Sequence, residues 1–345
     1  MNPHIKVTLS PRGPISHAKI VDFCTAAVEV WRKGHKTRKQ RLRQMKRLWL
    51  TLAAFTVLSA CSGGNPFATD TDTDTDPDEG TIPEQIAGDL SGITYNPVTQ
   101  TLTVRGISLD DTPYEAVYTR KPALDRGGYE AYTVQEGSLQ RHTTAYVRDI
   151  GGTRAAVVMT GGQFEHYFGG AVYGRSGVYD PPVSNQPGGL VSYAGNYVGV
   201  LNGPGDGGDL LPVTPGTPNS VRPAQAAEVT GKVLVNADFT DNVVNGVVYD
   251  RDAPDYPQLA LSDLALAPAD IDAETGTFDG EVTIDLTAVG QYGGIFGGTD
   301  ANAVAGALFA EGHIDGVDNE EERGIFVLPQ CGTPGQDALC NQPAP

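Results

Sequence analysis

Leu58, Ser59, Ala60 and Cys61 follow one another directly, behind an apolar run over 48–58 and the two cations Lys46 and Arg47. The chemistry open to such a stretch is cleavage and acylation: small residues admit a peptidase, and the cysteine sulfur is a nucleophile that can carry a fatty acyl chain. A positive entry followed by a short apolar helix is the form of an export signal, and the run falls short of the roughly 20 residues that span a bilayer. The alternative is a core helix ending in a buried cysteine. Polar Ser62, Gly63 and Gly64 and an aspartate-rich tract come next, and a core helix does not end that way.

The segment 45–60 with Cys61 behind it resembles the signal peptide and lipobox of bacterial lipoproteins. That resemblance implies lipidation at Cys61, with palmitate-type chains anchoring the mature amino terminus to a membrane, and several chains hold far more firmly than one. Ser62 in place of Asp implies sorting to the outer membrane. Residues 1–44 then precede a signal. They hold ten Lys and Arg against Asp22 and Glu29, and the reading taken is a start assigned too far upstream, with Met45 the first residue; a genuine basic extension is the other.

Chemistry elsewhere is sparse. Cys24 lies ahead of the signal, which leaves Cys331 and Cys340 as a pair for a disulfide, worth on the order of 3 kcal/mol in the chain-entropy model and suited to an oxidising compartment. No histidine lies near them, so they make a poor zinc site. Beyond Cys61 the histidines are His142, His166 and His313, none in a metal-ligand spacing. In QFEHYF at 163–168, strand alternation sets Phe164, His166 and Phe168 on one face. His166 could there ligate or stack on a haem-like ligand, or be an ordinary strand histidine beside phenylalanines.

GPGDGG at 203–208 satisfies G-x-G-x-x-G, but prolines rather than a helix follow, and Asp206 and Asp209 repel phosphate, so a flexible loop is expected. Counted from Asp74, the D-x-D tract has glycine seventh (Gly80) and Gln85 twelfth, where a calcium loop needs glycine sixth and glutamate twelfth. There is no G-x-S-x-G elbow, and the acids are too numerous to single out a pair. A non-enzyme is expected, with no catalytic residue, metal or cofactor, and with ligand-binding residues unassigned.

These groups must be held by the remaining chain. Its 345 residues carry 24 Lys and Arg against 42 Asp and Glu, a formal charge of −18, which becomes −28 once residues 1–60 are removed. Such a surface repels nucleic acid; it would steer towards basic partners or cations, and it equally solvates an exported acidic protein, the plainer of the two readings. The tract 61–85 has no apolar periodicity, and its like charges extend it as a linker. From Leu90 onward short runs rich in Val, Ile, Thr and Tyr alternate with polar residues and are cut every 8 to 12 positions by Gly, Pro, Asn or Asp, the pattern of antiparallel sandwiches and barrels. A β-rich region is expected over 86–180, with strands at 101–104, 114–118, 145–147, 155–159 and 171–173. After the break at 180–189, eight strands are expected at about 192–201, 226–238, 242–249, 258–267, 276–286, 291–296, 303–310 and 323–328. Eight strands in meander order can close and abolish their edges.

GIFGGTDANAVAG at 294–306 resembles the G-x-F-[YF]-G-x-x-A-x-E-x-x-G signature of transferrin-binding protein B-like surface lipoproteins, carried by Gly294, Phe296, Gly298, Ala301 and Gly306. VLVNADF at 233–239, GIFV at 324–327 and YAGNYVG at 193–199 are similar to other strands of that family. Gly297 replaces the usual aromatic and Ala303 the usual glutamate, which removes any claim to a family binding contact. The signature is read as architectural, its glycines allowing a sharp turn and Phe296 plugging the interior.

The resemblance implies an all-β chain in which a handle-like domain over 86–180 precedes an eight-stranded antiparallel barrel over 190–330, with a disulfide-closed tail over 331–345. It further implies a lipid-anchored protein of the outer membrane or cell surface that binds a protein or haem-type ligand through its loops without catalysis. The connection 202–225 is the candidate for recognition, and a short Gly-Ser turn in its place is expected to leave stability intact. The alternative is a structural envelope lipoprotein with a filled barrel and no soluble ligand.

Overall fold

Alternation of β-branched and aromatic residues with polar ones puts one strand face indoors, and the structure, a computed structural model, turns nearly every such run into strand. It describes residues 81–108, 112–164, 166–182 and 190–342; the expected signal peptide over 45–60, Cys61 and most of the aspartate-rich tract lie outside the described residues. Within them the one α-helix is a single turn, α1 (Glu84–Ala87).

Seven strands form an antiparallel meander: β1 (Leu90–Asn96), β2 (Thr101–Ile107), β3 (Pro113–Arg120), β4 (Glu130–Val134), β5 (Thr143–Ile150), β6 (Thr153–Thr160) and β7 (Gly169–Arg175). The sheet curls until its ends meet, where Asp89 N–H donates to Gly169 O at 3.0 Å. Its inside is lined by Ile93, Val104, Tyr118, Val147, Val158 and Phe168.

Eight further strands close on themselves: β8 (Leu190–Pro204), β9 (Ala226–Asp238), β10 (Val243–Asp252), β11 (Leu264–Asp270), β12 (Thr277–Ile284), β13 (Thr287–Gly297), β14 (Ala303–Glu311) and β15 (Glu321–Pro329), with β15 pairing back onto β8. Closure satisfies both edges. All eight expected barrel strands are present. The largest displacement is at β11, which starts at Leu264 instead of 258, because Tyr256 and Leu259 form a turn in which Leu259 N–H donates to Tyr256 O. Cys331 and Cys340 form a disulfide at the end of the barrel.

Alternation decides what each barrel strand buries. In β8, Tyr193, Tyr197 and Leu201 face the barrel interior, while Val198 and Val200 face the sheet. In β15, Phe326 and Leu328 point inward, and Ile325 and Val327 pack with Tyr129, Tyr146 and Val157 of the sheet. Strands buried on both faces read as continuous apolar runs, as ALFA and GIFVLP do. Polar bonds fasten the same interface: Tyr129 Oη donates to Asn196 O at 2.7 Å and accepts from Val327 N–H at 3.0 Å. Arg126 Nε and Tyr146 Oη both reach Glu228, at 2.6 and 2.5 Å.

Candidate functional site

The barrel holds a plug of its own rings. Phe296 lies 5.5 Å from Tyr193, 4.9 Å from Phe239 and 5.1 Å from Phe278, centroid to centroid. Two signature glycines are explained here differently from the expectation. Gly294 and Gly306 lie in mid-strand, not in a turn, and a Cβ on either would strike the ring of Phe278 or Phe326. Their bare backbones make room for the plug. Gly298, with φ of 74°, does occupy the turn between β13 and β14, and Tyr193 Oη donates to Ala301 O at 2.7 Å in that turn.

Toward the other end of the barrel the interior turns ionic. Glu322 shares the parity of Phe326 and Leu328 and therefore points inward. Arg251 reaches it because the β9–β10 register shifts between Tyr249 and Asp252, around Asp250 with φ of 48°. Such a bulge flips which side of the sheet a side chain takes. Glu322 Oε1 accepts from Tyr197 Oη at 2.6 Å, and Oε2 accepts from Arg251 and stands 3.2 Å from His313 Nε2. Burial alone would push the Glu322 carboxyl up; Arg251, His313 and the Tyr197 hydroxyl outweigh it and hold the group at about 2. Burial and the neighbouring carboxylate drive the Tyr197 phenol well above its ordinary value.

This cluster lies under an open cleft. His313 Nδ1 is 3.4 Å from Glu320 Oε1, an oxygen that also accepts from the backbone N–H groups of His313 and Ile314. Glu320 is 4% exposed and its Oε2 has no hydrogen-bond partner. Glu320 lines a cleft of about 740 Å³ at the barrel rim, together with Tyr167, Asn202, Tyr256, Leu259 and Asp318. The exposed carboxylate of Asp318, in a cleft also lined by Tyr167 and Tyr256, suits a cationic side chain, and Glu320 lies buried in the same wall.

The connection between β8 and β9, expected to be a free recognition loop, is strapped to the sheet. Asp209 accepts from Thr133 Oγ1 at 2.7 Å, pairs with Lys121 at 2.9 Å and bonds His142 Nε2 at 2.9 Å. Burial pushes the His142 imidazole down in spite of Asp209, so its Nε2–H donates as a neutral ring. Leu211 N–H donates to Gln135 and Ala224 N–H to Gly162 O. Shortening this connection would strand buried His142 and Thr133, so the expected indifference of stability is corrected. Only its start, at Asn202 and Pro204, borders the cleft. GPGDGG makes no phosphate cradle; Gly208 N–H donates to Asp206.

The supposed strand at 163–168 is a tight turn, in which Gln163 and His166 exchange backbone hydrogen bonds and Phe164 takes φ of 56°. Phe164 and His166 are exposed while Phe168 is buried, so they do not form one aromatic face. Gly161 and Gly162, the latter with φ of 89°, were the signal that a turn begins here. Among the described residues no group of three or more His, Cys, Asp or Glu could hold a metal ion. Composition gave no hint of Arg251, His313, Glu320 and Glu322 as a unit, since Arg251 lies 71 residues ahead of Glu322 and reaches it only through the β10 bulge.

Neither a protein-family model nor a curated protein matches the chain. Solved structures do. A double mutant of transferrin binding protein B from Haemophilus parasuis is 11% identical with a TM-score of 0.34, over 68% of this chain and 52% of that one. The isotype 1 transferrin binding protein B of serogroup B Neisseria meningitidis is 13% identical with a TM-score of 0.28, over 69% and 51%. A protein described as a surface lipoprotein is 16% identical with a TM-score of 0.30, over 68% and 94%. The chain spans about half the length of the transferrin binding proteins it matches. The likeness is one of fold.

Proposed function

We propose that the chain is a lipid-anchored protein of the outer membrane or cell surface, held through Cys61, that binds a basic protein partner without catalysis at the barrel-rim cleft. The observation that carries this reading is the contrast between a barrel interior filled by its own rings and ion cluster and an open cleft bordered by exposed Asp318 and by Tyr167 and Tyr256. A plugged interior leaves no room for a haem within the barrel, and the exposed turn position of His166 removes the aromatic sandwich that would have favoured one. The acidic surface steers in the same sense as the cleft, towards positive charge.

Two measurements test it. Mass spectrometry of the protein from its native membrane should find an amino-terminal, acylated Cys61; an unmodified, uncleaved chain overturns the anchor. A pull-down with the full chain should recover a basic protein in stoichiometric amount, lost on exchanging exposed Asp318 for Lys. If no partner is recovered, the plugged barrel supports the alternative of a structural envelope lipoprotein. Recovery that is indifferent to D318K moves the site away from the cleft.

A further inference from the structure

The curled sheet has a gap in its wall. β2 pairs with β3 along seven residue pairs, whereas β3 meets β4 at two, Thr119 with Thr133 and Arg120 with Tyr132. Past Val134 the chain departs through Gln135, Glu136 and Gly137, too polar to continue an inward-facing strand, and the first half of β3 has no strand beside it there. The gap opens into the sheet's interior as a cavity of about 410 Å³, within the size range of small-molecule sites.

Its lining is two-sided in character. Tyr114, Ala116, Val134 and Phe168 supply an apolar floor, with the Tyr114 and Phe168 rings 4.8 Å apart. Arg141 stands on the wall with its Nε buried and without a hydrogen-bond partner, and it makes no ion pair among the described residues. This is unusual in a chain where acids outnumber bases 42 to 24. Of the two carboxylates on the cavity wall among the described residues, Glu115 is exposed and paired with Arg105 at 2.8 Å, and Glu136 is exposed to water. A half-buried guanidinium without a counter-ion among the described residues, beside an aromatic floor, is matched by a planar anion carrying an apolar body.

We propose that this cavity binds a small amphipathic anion, an aryl or acyl carboxylate or its sulfonate analogue, whose charged group meets Arg141 and whose apolar body lies against Tyr114 and Phe168. The site is separate from the rim cleft and stands or falls without it.

The probe is anilinonaphthalene sulfonate, with its uncharged relative phenylnaphthylamine for comparison, added to the full chain and followed by fluorescence. The expected result is saturable binding at one site, with the sulfonate about tenfold tighter than the neutral compound, the size of one charge-assisted bond. Arg141→Gln should remove that preference while the neutral compound binds as before. Ala116→Trp should abolish both, and Ala116→Leu, a milder filling, should weaken both; circular dichroism confirms the fold of each variant. The proposal is overturned if wild type shows no saturable binding, if R141Q retains the preference, or if a folded Ala116 variant binds like wild type.

Discussion

Inside the barrel, Tyr193, Phe278 and Phe296 meet at ring-contact distance and Gly294 and Gly306 give up their side chains to admit neighbouring rings. Inside the curled sheet, Tyr114 and Phe168 also meet, yet a cavity of about 410 Å³ stays open beside them. Both regions are antiparallel meanders of similar residues. Both have a thin seam, two residue pairs between β11 and β12 in the barrel and two between β3 and β4 in the sheet, but the barrel's is continued by a bridge from Ile271 to Phe278, whose ring joins the plug. An interior is filled where rings reach across such a seam and stays open where none does. Room for a ligand thus arises where strand pairing stops and no side chain takes its place.

The strongest way to break this comparison is at the barrel's ion cluster. Glu322→Ala leaves Arg251 buried without its carboxylate, and a loss of about 3–5 kcal/mol in denaturant unfolding is expected. A loss under about 1 kcal/mol would mean that the interior is wetter than described. The same group gives a pH test. Its folded-state value, about 2, lies below its ordinary 4.5, so its contribution is fully present above about 4.5 and is lost as pH falls towards 2. That contribution is on the order of 3 kcal/mol. Urea midpoints across this window should fall for wild type and much less for Glu322→Gln.

Smaller effects separate the two interiors more finely. Gly306→Ala sets a Cβ against the Phe326 ring in the filled barrel and should cost about 1–3 kcal/mol. Asp209→Ala strands His142 and Thr133 at the strap over the sheet, with a similar expected loss of about 1–3 kcal/mol, read from the shift in melting temperature. Ala116→Leu adds carbon to the unfilled cavity and should be neutral or stabilise by about 1 kcal/mol. The opposite signs expected for G306A and A116L are the sharpest form of the contrast. If both destabilise equally, the cavity is not open space.

Legibility followed the range of the interaction. Strand β9 (Ala226–Asp238) could be read to the residue because its apolar positions recur at period two and Gly and Pro bound the long connection ahead of it. The turn at Gln163 could not, because alternation of Phe164, His166 and Phe168 outweighed the glycines just before it. The strap through Asp209 was hidden for another reason. An aspartate in a Gly- and Pro-rich loop looks solvated until a partner 67 residues away, His142, is brought beneath it.

The sequence by itself determined the all-β class, the number and order of the barrel strands, and the cysteine pair that closes the tail, because strand periodicity, turn chemistry and cysteine count are local or countable. Tertiary structure alone decided the rest. It set Arg251 and His313 against Glu322, buried Glu320 in the wall of a cleft, and left Arg141 without a counter-ion among the described residues beside an open cavity. Each of those depends on register, on a bulge that turns one side chain inward, and on where a ladder closes or parts. A one-residue change in register reverses the facing of a side chain while leaving its alternation intact.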